Sequence, residues 1–502
     1  MRIMLVRPPV PRHTIGLKHI MICEPLELEY VAAGLEGHEI EIVDLILEKG
    51  LERRLKKFKP NVVGTSCYIS GVNEAIKICR TVKRWSPECR TVVGGVQASQ
   101  VPEDFIDPAV DCIVMGDGTT TMPDVVTAFE KGLPLENIPG LALPRGEELF
   151  KTPPRAYMPA PDSIPLPRRD LVSHLKHRYY YLWNNPVATM KTTWGCWYKC
   201  NFCYTWRITD GVPYSRSAAS IAEELSQIEA EHVYIVDDIF LINPTRLGEL
   251  ARILQERGIR KKYLVYARAD FISQHEDIIA QWAELGLSAV FIGLEATTDS
   301  ELDSMDKMAT VDHNRAAIAL LQKYGIDIYG SLITQPDYVE EDWARLKKFI
   351  DDNHLYFLNI SPLTPMPGTL IWEQFRDQVT VSRRAHGLWD LSHMILKTRQ
   401  PLKQYYRSLL SVYCHAALSP RRFVKLNLGT APPVYTWRYW NLIFGAMKIA
   451  KSFYFGHLHH TKRELAYAED RGPAFGHPLP ASGARNLESL LPAARREGAE
   501  GG

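Results

Sequence analysis

Trp194-Gly-Cys-Trp-Tyr-Lys-Cys-Asn-Phe-Cys-Tyr204 sets three cysteines, Cys196, Cys200 and Cys203, at the spacing Cys-x3-Cys-x2-Cys. The run Val187–Thr193 just before it is apolar and reads as a strand. Soft thiolates select iron–sulfur clusters or zinc. Structural zinc takes four ligands, and neither a fourth cysteine nor a histidine lies close by in the chain. Three thiolates on a four-iron cube leave one iron open to a substrate or cofactor. The stretch therefore predicts a 4Fe–4S cluster on a loop at the carboxyl end of a strand.

Working outward, residues 181–375 repeat that unit. Strands are expected at Val187–Thr193, Val233–Val236, Tyr263–Ala267, Ala289–Gly293, Ile326–Ile333 and Phe357–Pro362. Amphipathic helices are expected between them, at Ile221–Glu231, Arg246–Arg257, Ile278–Leu285, His313–Tyr324 and Glu341–Asp351. Six βα units predict a partial (β/α)6 barrel, whose chemistry sits at the carboxyl ends of its strands.

Residues 1–135 carry a second α/β pattern, with strands expected at Ile3–Val6, Glu39–Val43, Val62–Ser66, Thr91–Gly94 and Cys112–Met115. This predicts a doubly wound sheet that binds ligands beyond its strand ends. Those ends carry Gly64-Thr-Ser-Cys-Tyr-Ile-Ser-Gly71, Gly94-Gly-Val-Gln-Ala-Ser99 and Gly116-Asp-Gly-Thr-Thr120. Each alone is an ordinary turn, but three together favour a ligand crevice. Residues 136–180, rich in Pro and Arg, read as a linker. Residues 376–470 read as a helical region and 471–502 as a disordered tail.

The 502 residues suggest roughly three domains. A net charge of +1 gives no support for a nucleic-acid partner. The start at Met1 is interrupted too early for a signal peptide, and no apolar run of about 18 residues would span a membrane. Nine cysteines without a secretion signal point to a reducing cytoplasm. The six outside the motif form no Cys-x2-Cys pair, indicate no second cluster, and read as buried thiols.

The motif, with Phe202 before its last cysteine, resembles the radical S-adenosylmethionine (SAM) superfamily. The order of domains is similar to the cobalamin-dependent class. Glu24-Pro-Leu26, Pro167-Arg-Arg-Asp-Leu171, Tyr234-Ile-Val-Asp-Asp238 and Gly258-Ile-Arg-Lys-Lys262 resemble the hopanoid C-3 methylase group and its lipid- and tetrapyrrole-modifying relatives. The resemblance implies SAM on the open iron, cleaved reductively to a 5′-deoxyadenosyl radical. It implies SAM contacts from Asp237 and Asp238 to the ammonium, and from Arg268, Asp270 and Glu295 to the ribose or carboxylate. Each of these acids has a helix N-cap as its structural alternative. Pro365-Met-Pro-Gly-Thr369 resembles a loop near the adenine. Cobalamin is implied over Ser66, Gly94, Gly95, Gln97, Gly116 and Gly118. The cobalt would lack a protein histidine, because Asp-x-His-x-x-Gly is absent, and Gln97 is the candidate lower-face neighbour.

The implied reaction is C-methylation of an unactivated carbon in an apolar, lipid-like substrate, hopanoid/isoprenoid or tetrapyrrole. An external donor such as flavodoxin or ferredoxin would supply the electron. The alternatives are a cyclase or carbon–carbon coupling enzyme on the same scaffold, and a cobalamin-binding sensor without turnover. Aromatic and basic residues in Tyr435–Phe455 suggest either packing on the barrel or peripheral contact of a cytoplasmic protein with a membrane.

Overall fold

The run Ile3–Val6 is buried on both sides, with Ile3 and Leu5 in one apolar cluster and Met4 and Val6 in another. That two-residue period marks a strand covered on both faces, as parallel strands are. The structure, a computed structural model, describes residues 1–11, 14–15, 19–155, 160–417 and 437–460.

The amino-terminal sheet contains β1 (Arg2–Arg7), β2 (Glu39–Asp44), β3 (Val62–Ser66), β4 (Arg90–Gly94), β5 (Cys112–Val114), β6 (Leu141–Arg145) and β7 (Glu148–Lys151). Its order is β2-β1-β3-β4-β5-β6-β7, with β1 to β5 parallel. This is the expected doubly wound sheet, and the strand order reverses between β1 and β3. The expected linker begins differently. β6 and β7 form an antiparallel hairpin on the sheet edge, where Pro144 is tolerated, and 3-10 turns follow at Arg169–Arg178.

The second sheet holds β8 (Val187–Met190), β9 (His232–Ile235), β10 (Lys262–Arg268), β11 (Leu287–Glu295), β12 (Asp327–Thr334) and β13 (Phe357–Pro362), in chain order. All five pairings are parallel, as the partial barrel requires. Its helices start on polar caps. Ser217 caps Ala218–Gln227, Asn243 caps Pro244–Glu256, and Thr310 forms a capping box on Val311–Lys323. Val233, Ile235, Val265 and Val290 join the core beneath these helices.

Tyr234, Leu264, Ala289 and Tyr329 point to the other face, where Tyr266, Phe291 and Phe357 pack with them. Aromatic rings therefore line the inside of the curl. The centroid distances are 5.7 Å for Tyr234–Tyr266, 4.9 Å for Tyr266–Phe291 and 5.2 Å for Tyr329–Phe357.

Residues 376–395 are not helical as expected. They hold two short 3-10 turns, Arg376–Gln378 and His386–Leu388. Val381, Leu388, Trp389 and Ile395 cluster with Ile69 of the first half. Helices follow at Leu402–Ala417 and Trp437–Tyr454. Residues 418–436 and the tail 471–502 lie outside the described residues. No helix among the described residues is long and apolar enough to cross a membrane.

Candidate active site at the facing strand ends

The cysteine loop is built from its first residue. Gly195 has φ +84°, and a Cβ there would strike the Thr209 side chain and lie 2.8 Å from the Val212 carbonyl. Its N–H donates to Asp238 Oδ2 at 2.7 Å. Asn201 Nδ2 donates to the Ser304 carbonyl at 2.7 Å, and Trp206 Nε1 to the Cys200 carbonyl at 3.0 Å. The loop is thus tied to two other connections of the second sheet and closed on itself by Trp206.

The donor set fits an iron cluster. Cys200 is buried, and Cys196 and Cys203 are partly buried. Burial pushes the Cys196 thiol up to about 12, with Cys203 and Cys200 adding to the rise and Arg268 opposing it. Burial likewise raises Cys203. Without a metal these sulfurs hold their protons, and coordination removes them. Each cysteine thiolate holding such a cluster would take a different iron. The loop therefore need not converge on one point, and no group of three ligands for a single ion exists among the described residues.

Asp237, a candidate for the SAM ammonium, has a structural task. Its carboxylate accepts from Thr192 N at 2.5 Å, Thr193 N at 3.0 Å and Thr192 Oγ1 at 2.5 Å. It is fully engaged in holding the strand that enters the loop. Asp238 is partly exposed, 3.3 Å from Lys191 Nζ, and retains an oxygen toward the site.

Arg268 and Asp270 fold onto the cysteines. Arg268 Nε donates to Asp270 Oδ1 at 2.9 Å, and Nη1 to Cys200 Sγ at 3.7 Å. The guanidinium lies 3.5 Å from the centre of the Tyr198 ring, and Tyr198 Oη donates to Asp270 Oδ2 at 2.9 Å. Such a cation offsets charge on a thiolate-bound cluster.

Glu295 sits at φ +59° at a register shift in β11 and pairs with Lys307 Nζ at 2.7 Å. Gly293 leaves the room this pair occupies, since a Cβ there would lie 2.8 Å from Lys307 Nζ. Lys307 also accepts from Arg268 through its carbonyl at 2.5 Å. Sequence reasoning missed Lys307, which lies on a connection with no periodic pattern.

In the first half, Gly95 has φ +95°, and a Cβ would come within 2.6 Å of Ser66 Oγ. A Cβ at Gly94 would only touch Val114 at 3.9 Å, Gly116 faces open space, and the Gly116 N–H donates to Ser99 Oγ at 2.8 Å. These positions make a cradle of bare backbone at the strand ends, suited to a flat, bulky ligand. A Cβ at Gly118 would lie 3.3 Å from the Val31 side chain. Gln97 is buried and donates one amide N–H to Asp104 Oδ2 at 2.5 Å, which leaves its carbonyl oxygen for a ligand. Gly368, in the loop Pro365–Thr369, would bring a Cβ 2.9 Å from Gln100 Oε1, so that loop leans toward the first half.

Tyr68, which follows Ser66 at the β3 end, joins the two halves. Its side chain is 66% exposed. Yet burial pushes its phenol up to about 12, with contributions from Glu27, Asp238 and Tyr266. Tyr68 therefore lies close to Asp238 and Tyr266, in the space between the strand ends of the two sheets. Tyr204, one residue beyond Cys203, is raised by burial and by Tyr68, Cys203 and Asp238. The Glu27 carboxyl lies near Tyr68 and is raised by burial, with Arg7 opposing. Neither Tyr68 nor Glu27 stood out in the sequence, because no motif marks them. Of the other cysteines, Cys67, Cys79, Cys89 and Cys112 are buried as expected, Cys23 is partly buried, and Cys414 is exposed.

Comparison with known proteins agrees with this geometry. Residues 12–126 match the B12 binding domain family, and residues 190–350 match the radical SAM superfamily. The hopanoid C-3 methylase of Methylococcus capsulatus is 30% identical over 82% of this chain and 79% of that protein. The anaerobic magnesium-protoporphyrin IX monomethyl ester cyclase of Cereibacter sphaeroides is 24% identical over 76% of this chain and 64% of that protein. In fold, the chain is similar to the cobalamin-dependent SAM radical enzyme OxsB, solved with aqua-cobalamin and SAM bound. The TM-score is 0.66 at 16% identity, over 90% of this chain and 72% of that one.

Proposed function

We propose that this chain, which belongs to the radical SAM family carrying an amino-terminal B12-binding domain, is a C-methyltransferase acting on an unactivated carbon of an apolar substrate, a hopanoid or other isoprenoid lipid or a tetrapyrrole. One observation carries the reading. Tyr68 at the β3 end lies close to Asp238, which accepts from Gly195 of the thiol loop, and we take the space between these strand ends as the reaction chamber.

When bound, the cluster, SAM and cobalamin supply an electron, a hydrogen-abstracting radical and a methyl group. Cys196, Cys200 and Cys203 would hold the cluster, with Arg268 donating to Cys200 Sγ to offset its charge. Asp238 would take the SAM ammonium on its remaining oxygen, and the Glu295–Lys307 pair would face the ribose or carboxylate. Ser66, Gly94, Gly95 and Gly116 would seat cobalamin, with the carbonyl of Gln97 on its lower face. Tyr234, Tyr266, Phe291, Tyr329 and Phe357 would hold the apolar skeleton, since pockets for such ligands use polar groups sparingly. They also exclude water from the reaction. The electron would come from a protein such as flavodoxin or ferredoxin.

The test is anaerobic reconstitution with iron, sulfide, hydroxocobalamin, SAM and a low-potential reductant. The expected outcome is 5′-deoxyadenosine release together with a methylated apolar product. Cys200→Ala should lose both, along with the broad iron–sulfur absorbance. Deoxyadenosine without any methylated product from lipid or tetrapyrrole pools would favour the ring-forming reading, which similarity to the cyclase supports. Cobalamin retention with no deoxyadenosine at all would favour the sensor.

A further inference from the structure

The helix Trp437–Tyr454 and the turn Gly456–His459 are apolar on two opposite sides. One side is spent on the protein. Gly445 lies against His19, where a Cβ would come within 2.6 Å of that side chain. Ile449 packs on the barrel core, Phe453 is 4% exposed and stacks on Tyr413 at 5.3 Å, and Gly456 abuts the Tyr406 ring. These positions recur every three to four residues, as one helical face does.

The other side is open. Phe444 is 52% exposed, Met447 62%, Tyr454 42% and Phe455 40%. Trp440 lies beside Phe444 and extends the stripe at one end, and Leu458 extends it at the other. A contiguous exposed apolar patch of this kind marks a binding surface. Its charge is one-sided. Residues 437–460 contain no Asp or Glu, and they include Arg438, Lys448 and Lys451. Lys448 and Lys451 are exposed.

We infer that this face docks the enzyme on the surface of a bilayer containing anionic lipid. Phe444, Met447, Tyr454 and Phe455 enter the boundary of headgroups and acyl chains, while the lysines reach lipid phosphates. The position of Lys451 selects a membrane over a second copy of this chain. It lies within the stripe, between Met447 and Tyr454, so a self-paired helix would bury that ammonium against apolar rings. On a bilayer its long stem lies along the apolar surface and its charge stays in the headgroup layer. The docking rests on the proposed lipid-type substrate only for its purpose, which is to draw an insoluble substrate from the membrane. The contact itself needs no turnover.

The experiment is sedimentation of the reconstituted full chain with vesicles of phosphatidylcholine, with or without about one-third phosphatidylglycerol. The wild-type protein should pellet with the anionic vesicles, bind phosphatidylcholine alone weakly, and release as salt rises. Phe444→Ser with Met447→Ser should lower the bound fraction about tenfold or more. Lys448→Glu with Lys451→Glu should abolish the preference for anionic vesicles. Both variants should keep the wild-type cluster absorbance and elution volume, which excludes unfolding as the cause. The inference is overturned if the wild-type protein ignores anionic vesicles or if the variants bind as well as it does. It is equally overturned if the wild-type protein is a dimer that Phe444→Ser with Met447→Ser converts to a monomer. A wrong substrate assignment would leave every vesicle result unchanged.

Discussion

A hydrogen atom at the Gly195 α-carbon is what lets the cysteine loop turn beneath Thr209. Any larger side chain would meet both a positive φ and the Thr209 hydroxyl. Gly195→Ala should therefore lower reconstituted iron and sulfide content and lose SAM cleavage in proportion; full iron content in the variant would show that the loop can relax. Tyr68 belongs to a different step, since it touches the chamber and not the cysteines. Tyr68→Ala should keep the cluster and SAM cleavage while methylated product falls about tenfold or more, because a void at the reacting centre misplaces the substrate. The ratio of deoxyadenosine to product measures this, and an unchanged ratio would remove Tyr68 from the chamber. The two residues differ in how far the chain reveals them. The cysteine triad was legible because its ligands fall within eight consecutive positions. The role of Asp237 was not, since an acid at a strand end can face a ligand or accept backbone N–H groups, and only the fold placed Thr192 and Thr193 on it.

Secondary-structure elements were legible in proportion to their periodicity. The apolar runs of β1, β3 and β10 and the capped helix Val311–Lys323 announce themselves. The β6–β7 hairpin does not, because short edge strands containing Pro144 look like linker. Residues 376–395 have no period at all, yet they form a strap across the first half. Arg383 Nη2 donates to Asp104 Oδ2 at 3.1 Å, and Asn73 Nδ2 to the Arg384 carbonyl at 3.4 Å. Burial opposes ionisation of Asp104, but His386, Arg383 and Gln97 together hold its carboxyl below the usual range. Removing one partner of a buried pair typically costs ~3–5 kcal/mol. Arg383→Ala should accordingly free the strap, seen as new proteolytic cleavage within residues 376–395. It should also weaken hydroxocobalamin binding, because Gln97 hangs from the same carboxylate. Wild-type cleavage patterns would mean that the apolar contacts of Trp389 and Leu388 suffice alone.

The whole molecule depends on how its two sheets are joined, and the joint is ionic and largely buried. Arg169 spans it, donating to Glu224 at 2.7 Å and to the Thr189 carbonyl at 2.6 Å, with Glu24 at 3.4 Å. Glu24 also accepts from Thr189 N at 2.6 Å, so the segment before the helix Leu26–Ala33 grips β8 directly. Arg216 pairs with the other side of Glu224. Glu29 lies beside this joint with both carboxylate oxygens buried and without a hydrogen-bond partner among the described residues. Burial raises it well above the ordinary carboxylate value, Glu24 adds to the rise, and Arg169 opposes it. The sign of the consequence follows from proton counting. Between the unfolded value of about 4.3 and its raised folded value, Glu29 binds a proton in the folded chain and not in the unfolded one. Stability from this residue is therefore full below that window and is lost as pH rises through it. Glu29→Gln removes the titration while keeping the shape of the protonated acid. The midpoint of thermal unfolding should fall less from pH 6 to pH 8.5 in Glu29→Gln than in the wild-type protein, with the two closest at the acid end. Parallel curves across that range would mean that Glu29 gains a partner or water when the joint forms, and that the two halves are not held together around a protonated carboxyl.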